Sequence, residues 1–287
     1  MYEFIIVALK YALLISVILV ILLPFYVQSR IYYPSKQHFL VNLDYEDVFI
    51  RTNDGIKINA WYIPPGKKNI TVLFCHGNGG NLTFYEEKIS LLKEKGYGVL
   101  AIDYRGYGKS EGKPHENGLY TDLRSAVRYL KEKKETYEDE IVLWGLSLGG
   151  AVVAQIASES DDFRGVILQS TFTSIQDMAS NVLHKAYLGI NSEYRNYPSH
   201  KAVKMLPTFQ KFDTINKIKH INSPLLIAHS IPDNIVPAFM SRELAAIKKD
   251  AGLFISEHGG HNEHGWFYPT LFKFLNSLEK KHSKKAD

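Results

Sequence analysis

Two regimes of apolar and polar positions run along this chain. Residues 11–27 are almost wholly apolar, and residues 4–9 extend that run past a single Lys10. From Ile70 onward, short β-branched or aromatic runs alternate with longer stretches that keep one apolar side. The short runs are 70–75, 97–102, 141–144, 166–171, 224–229 and 252–256, and the longer stretches include 82–95 and 150–157. Apolar runs of this length, bounded by Gly, Pro and Asn, read as buried strands, and the stretches between them read as helices. The alternation predicts an α/β fold with a mainly parallel central sheet covered by helices on both faces. Upstream, residues 47–51 and 56–62 flank Thr52-Asn53-Asp54-Gly55, a hairpin signal, so the first strands are expected to be antiparallel.

The first regime sets the expected organisation. Its 24 or so residues would span ~36 Å as a helix, enough to cross a bilayer. A cleaved signal peptide fits poorly, because Glu3 offsets Lys10 and no small-x-small site follows Val27. Residues 1–28 are therefore read as a single-pass membrane anchor, with membrane lipid as a partner. The side of the membrane is poorly fixed: Arg30 and Lys36 slightly outweigh Lys10 and the amino terminus, weakly favouring a cytoplasmic domain. Residues 29–287 suffice for one large α/β domain. Cys75 is the only cysteine, so no intramolecular disulfide exists, and its place in a strand suggests a packing role.

Within that domain, residues 172–223 contain no convincing core strand. They are aromatic-rich and carry seven Lys/Arg against three Asp/Glu. A segment of this length reads as a helical lid. Contact with lipid headgroups or an acyl chain, and a solvated basic cover, are both open for it.

The most specific chemical signal is Gly145-Leu146-Ser147-Leu148-Gly149, set between a strand pattern and a helix pattern. G-x-S-x-G in that context is a nucleophile elbow, where glycines permit a strained turn that presents the serine hydroxyl. A serine needs a base within hydrogen-bond reach and a third group to orient that base. Asp233 sits on a turn just past the strand 224–229. His261 sits in the Gly-rich loop after the strand 252–256, so both fall at the same edge of the sheet. Of the rival histidines, His258 is expected to be structural, and His264 to face solvent or cap the last helix. The spacing of His258, His261 and His264 also invites a metal reading, but Gly259 and Gly260 leave no rigid face for ligands, so no metal is expected.

After the strand 70–75 comes His76-Gly77-Asn78-Gly79-Gly80-Asn81. From this position one backbone N–H can reach a developing oxyanion, with Asn78 as the expected donor and Gly79 next; Leu148, after the nucleophile, supplies the second. The run lacks the spacing of a phosphate-binding loop, so no nucleotide is expected to bind there; nucleic acid is not among the expected partners. Asp103-Tyr104-Arg105-Gly106-Tyr107-Gly108 is expected to hold a turn through an internal Asp103–Arg105 pair.

These motifs together resemble the α/β-hydrolase superfamily. More closely, they are similar to small membrane-anchored "alpha/beta hydrolase domain-containing" enzymes, some of whose animal members are protein depalmitoylases. The likeness covers roughly residues 45–278. It rests on the loop 76–81, the segment 103–112, the elbow, Asp233-Asn234-Ile235-Val236-Pro237 and Gly260-His261-Asn262. It implies Ser147 as nucleophile, Asp233 as acid and His261 as base. Two departures lie near the acid: Ser230 stands where the family usually has Gly, and Pro232 immediately precedes Asp233. The expected activity is hydrolysis of carboxylic ester or thioester bonds through an acyl-enzyme, on acylated or lipidic substrates and without a cofactor. A serine peptidase of the same fold, and a membrane-tethered scaffold without turnover, are the alternatives.

Overall fold

The computed structural model describes residues 2–188 and 210–283. These divide into two units, Tyr33–Ser174 with Phe212–Asp287 and Met1–Tyr32 with Ile175–Lys211.

In the larger unit, eight strands form one sheet. They are β2 (Glu46–Arg51), β3 (Lys57–Ile63), β4 (Thr71–Cys75), β6 (Gly98–Ile102), β7 (Ile141–Leu146), β8 (Gly165–Gln169), β9 (Leu225–Ser230) and β10 (Gly252–Ser256). Their order across the sheet is β10-β9-β8-β7-β4-β6-β3-β2. Strands β2 and β3 pair antiparallel across the turn with Gly55, and β3 meets β6 antiparallel; every other pairing is parallel. The expected α/β-hydrolase architecture is thus the observed one. The helices are α2 (Glu86–Glu94), α3 (Glu116–Lys134), α4 (Leu148–Ala157), α6 (Phe239–Ile247) and α7 (Tyr268–Ser283), with α5 given below.

Alternation along the strands decides where the core lies. Val72, Phe74, Val99, Ala101, Val142 and Trp144 point to one face, where Ile89 and Leu92 of α2 and Leu271, Leu275 and Leu278 of α7 cover them. Residues of the opposite parity, such as Leu73, Leu100, Leu143 and Leu168, are equally buried, as are Leu123 and Ala126 of α3 and Val152 and Val153 of α4. A sheet buried on both faces explains why its central strands read as continuous apolar runs.

The register places the strand ends in line. Cys75 pairs with both Gly145 and Ile102, and Ser230 pairs with Ser256. The loops leaving β4, β6, β7, β9 and β10 therefore emerge at one edge of the sheet. Two short strands that the hydrophobic pattern did not show, β1 (Tyr33–Pro34) and β5 (Gly79–Gly80), pair in parallel and strap the segment after residue 32 to the loop 76–81. The stretch read as one helix over 82–95 is a 3-10 turn, Leu82–Tyr85, followed by α2.

In the smaller unit, α1 (Tyr2–Ser29) coincides with the segment read as an anchor, and α5 (Ile175–Leu188) with the start of the segment read as a lid. Among the described apolar side chains of α1, Leu13, Ile15, Ile21 and Leu22 are more than half exposed. Among the described residues no helix is long and apolar enough to cross a membrane. The side chains of Ser16, Leu19, Val20, Leu23, Pro24 and Val27, inside the apolar run, lie outside them. Residues 189–209 of the expected lid also lie outside the described residues.

Candidate active site

The elbow is built from close approach. A Cβ on Gly145 would sit 2.3 Å from the Gly149 carbonyl oxygen, and one on Gly149 would sit 2.1 Å from that of Cys75. Only glycine allows α4 to pack so tightly on β4 and β7. Between them Ser147 adopts φ +53° and ψ −115°, a conformation that costs a non-glycine residue energy and persists only where its surroundings hold it. They do: Ser147 N–H donates to the Gln169 carbonyl at 2.8 Å, and its carbonyl accepts from Thr171 Oγ1 at 2.8 Å and Gly150 N–H at 3.0 Å.

The structure brings Ser147, His261 and Asp233 together. His261 Nε2 lies 3.1 Å from Ser147 Oγ, and His261 Nδ1 lies 2.7 Å from Asp233 Oδ2. A carboxylate only accepts, so Nδ1 carries the proton and Nε2 is left free to accept from the serine hydroxyl. Asp233 Oδ1 accepts from the N–H groups of Ile235 and Val236, both at 2.9 Å. Burial disfavours its ionised form, but hydrogen bonds from His229 and His261 outweigh that penalty and hold the carboxyl well below the usual carboxylate range. Ser230, the departure noted beside the acid, ties the two loops together: Ser230 Oγ and Ser256 Oγ both donate to the His258 carbonyl, at 3.0 and 2.9 Å. His258 is thus structural through its backbone, and its side chain is exposed.

The two expected oxyanion donors flank the serine. Leu148 opens α4, so its N–H is among the first-turn donors that a helix leaves without an internal acceptor. Asn78 is aimed by its neighbours. His76 Nδ1 donates to the Gly77 carbonyl at 2.6 Å, and the Asn78 N–H points to the opposite side of that planar trans peptide. The Asn78 carbonyl is held by Tyr33 N–H at 2.9 Å and Tyr107 Oη at 2.8 Å. A Cβ on Gly77 would lie 3.7 Å from Ser147 Cβ, which sets this loop directly against the elbow.

Two expectations are corrected. His264 neither faces solvent nor caps a helix: it is buried, its Nδ1 lies 3.0 Å from Gln169 Nε2, and burial, with Lys88 and His261 adding to it, pushes its pKa down to about 3. Gly259, φ +87°, packs its backbone against Trp266, where a Cβ would lie 2.2 Å from the indole ring. Asp103 and Arg105 do not pair. Arg105 bonds Asp122 Oδ1 through Nη2 at 2.8 Å and Asp54 Oδ2 through Nη1 at 2.7 Å, whereas Asp103 Oδ1 accepts from Leu82 N–H at 3.0 Å and lies 3.3 Å from His76 Nε2. Each ion finds its partners in other elements: Asp103 in the segment 76–82, and Arg105 in α3 and the turn before β3.

The structure also adds residues that the motifs did not single out: His76, Tyr107, Gln169 and His229. The available signal was a polar residue at the end of an otherwise apolar strand, as at 76, 169 and 229. Among the described residues no cluster of three His, Cys, Asp or Glu side chains could hold a metal ion.

Residues 66–203 match the family described as serine aminopeptidase, S33. The alpha/beta hydrolase domain-containing protein WAV2 of Arabidopsis thaliana is 31% identical over 252 residues, covering 82% of this chain and 80% of that protein. Protein bem46 of Schizosaccharomyces pombe is 34% identical over 222 residues, covering 73% of this chain and 67% of that protein. The solved structure of the Pyrococcus furiosus esterase Pf2001 superposes with a TM-score of 0.67 at 22% identity, covering 85% of this chain and 98% of that one.

Proposed function

This chain belongs to the α/β-hydrolase superfamily, and from that premise we propose that it is a serine hydrolase cleaving carboxylic ester or thioester bonds. The observation that carries the reading is the line from Ser147 Oγ through His261 to Asp233, with contacts of 3.1 and 2.7 Å at the two ends of one imidazole. Ser147 attacks the acyl carbonyl while His261 Nε2 takes its proton. The resulting imidazolium is stabilised by Asp233, which also keeps Nε2 facing the serine. Negative charge on the tetrahedral oxygen falls to the N–H groups of Leu148 and Asn78, the first helped by the positive end of α4. His261 then protonates the leaving alcohol or thiol, and water releases the acyl-enzyme by the same route.

The substrate is read as acylated or lipidic; exposed apolar side chains on α1 support the companion reading of residues 1–28 as a membrane anchor, which would bring the site to such substrates. A second reading, serine peptidase, is favoured by the description of the matching family. Fluorophosphonate labelling of the full-length protein, followed by matched p-nitrophenyl esters, acyl thioesters and aminoacyl amides, separates the readings. Hydrolysis of esters and thioesters with little amide turnover is expected. Preferential amide cleavage would establish the peptidase, and absence of both labelling and turnover would leave the scaffold. Ser147→Ala should abolish labelling and lower kcat by several orders of magnitude in a folded protein.

A further inference from the structure

The acid of the site carries a second imidazole. His229, wholly buried at the end of β9, places Nε2 3.2 Å from Asp233 Oδ2, the same oxygen that His261 Nδ1 reaches from the other direction at 2.7 Å. Its Nε2 is also 2.9 Å from the Val236 carbonyl, and its Nδ1 is 2.6 Å from Ser241 Oγ on α6. The proton positions follow from these partners. Nε2 faces two acceptors, a carboxylate and a carbonyl, so it must carry the proton. In the neutral ring Nδ1 is then an acceptor, and the Ser241 hydroxyl donates to it. The hydrogen bonds form one chain: Ser241 Oγ–H to His229, His229 Nε2–H to Asp233, His261 Nδ1–H to Asp233, and Ser147 Oγ–H to His261.

We propose that His229 and Ser241 are positioning residues for the hydrolytic site, forming a second arm that orients Asp233 and sets how much of its charge His261 feels. The inference rests on the triad reading given above. With Ile235 and Val236 on Oδ1, the carboxylate accepts four donors, so it cannot rotate away from His261 without breaking bonds in an interior where unmade bonds are costly. The His229 N–H draws part of the negative charge on Oδ2, so Asp233 stabilises the His261 imidazolium less than an unshared carboxylate would. Ser241 acts one step further out by keeping the His229 proton on Nε2. The ionisable groups acting on Asp233 are His229 and His261, and His264 faces both Asp233 and His261 from the loop after β10. This arm joins β9 and α6 to the loop after β10, so the acid is fixed by three elements rather than by its own turn.

The test uses the full-length protein, with fluorophosphonate labelling as the first readout and p-nitrophenyl acetate kinetics as the second. In His229→Ala, kcat should fall by roughly 10- to 100-fold with KM within about twofold, short of the ~10⁴-fold that neutralising the acid itself can cost. The acidic limb of the kcat/KM profile should move to higher pH, because an unshared carboxylate raises the basicity of His261. His229→Gln can return an N–H to the same oxygen and should recover most of the loss. Ser241→Ala should lower kcat a few-fold and move the same limb in the same direction. A wild-type protein that neither labels nor turns over overturns the triad reading and this inference with it. A wild-type protein that labels, beside a folded His229→Ala of undiminished kcat, or a His229→Gln no better than His229→Ala, overturns the inference alone. If His229→Ala does not fold, Ser241→Ala decides, and wild-type kcat with an unmoved acidic limb rejects the second arm.

Discussion

The side-chain amide of Gln169 donates to Nδ1 of His264 at 3.0 Å, while the backbone carbonyl of the same glutamine receives the N–H of Ser147 at 2.8 Å. One residue at the end of β8 thus steadies the strained elbow and holds the loop that carries His261. Trp144 Nε1 bonds the Gln169 Oε1 atom at 3.2 Å, which leaves its amide nitrogen to face His264. His264 is then a neutral, buried support and not an alternative base.

It follows that His264→Ala should lower kcat while fluorophosphonate labelling persists, whereas His261→Ala should abolish labelling. Loss of labelling in His264→Ala with retention in His261→Ala would exchange the two roles. The ring also makes stability depend on pH. An unfolded chain protonates this histidine near pH 6.5, but the folded protein resists until about pH 3. The unfolded state therefore binds more protons across that interval. The contribution is complete above pH 6.5 and is lost as pH falls, at up to about 1.4 kcal/mol per pH unit. Urea midpoints measured from pH 7 to pH 4 should decline more gently in His264→Gln than in the wild type.

Arg105 should matter to stability and little to chemistry. It satisfies Asp122, fully buried on α3, through Nε, Nη2 and its own backbone N–H, and it holds the Asp54 carboxyl down to about 2 by a hydrogen bond. Arg105→Met leaves Asp122 without its counter-ion and should cost about 3–5 kcal/mol in denaturant unfolding. Adding Asp122→Leu should return much of that loss, since replacing both partners removes the stranded charge. Activity per labelled active site should stay near wild type in both variants. A large drop in kcat at full labelling would show that the 103–112 turn acts on catalysis.

The aim of Asn78 can be tested through Tyr107. Tyr107→Phe removes one of two donors to the Asn78 carbonyl and leaves Tyr33 N–H in place. The expected loss in kcat is below the ~10²–10³-fold that deleting an oxyanion donor costs, with KM unchanged. The inhibition constant of a boronic acid transition-state analogue should weaken in parallel with kcat, because both depend on the same donor. An analogue that binds as before while kcat falls would assign Tyr107 some other function.

Ser147, Asp233 and His261 were legible because each sits beside a local signature: the G-x-S-x-G turn, an Asp after a strand, a His in a glycine loop. The sheet order brings those strand ends together, so sequence position was enough to group them. His229 and His76 were not legible as parts of the site, since their partners are set by tertiary packing: Ser241 on α6 for one, and the loop's own carbonyl with Asp103 for the other. The burial of His264 is not legible, because spacing along a loop does not reveal that its ring meets Gln169 on a distant strand. The Asp103–Arg105 pair was inferred from nearness in sequence, and tertiary partners took both ions. Strands β1 and β5 have only two residues each, too few to show any periodicity.

The last prediction concerns residues 1–28, proposed as a membrane anchor. They lie almost wholly in α1, the proposed triad and oxyanion donors all come after residue 70, and the earliest contact to the site is Tyr33 N–H on the Asn78 carbonyl. Full-length protein should therefore stay with membranes through high salt and carbonate, while a chain beginning at residue 29 should be released and hydrolyse short water-soluble esters at a similar kcat. Cutting further is expected to have a different effect. A chain beginning at residue 36 also loses the bonds from Tyr33 N–H to the Asn78 carbonyl and from Ser35 N–H to the Gly80 carbonyl, both 2.9 Å. With its loop unstrapped, that shorter chain should lose kcat rather than substrate affinity. Sequencing the mature amino terminus separates the rival explanation, because a start between residues 28 and 33 would mean that the apolar helix is a cleaved signal. Extraction of the uncleaved full-length chain by carbonate would instead show that α1 does not span the bilayer.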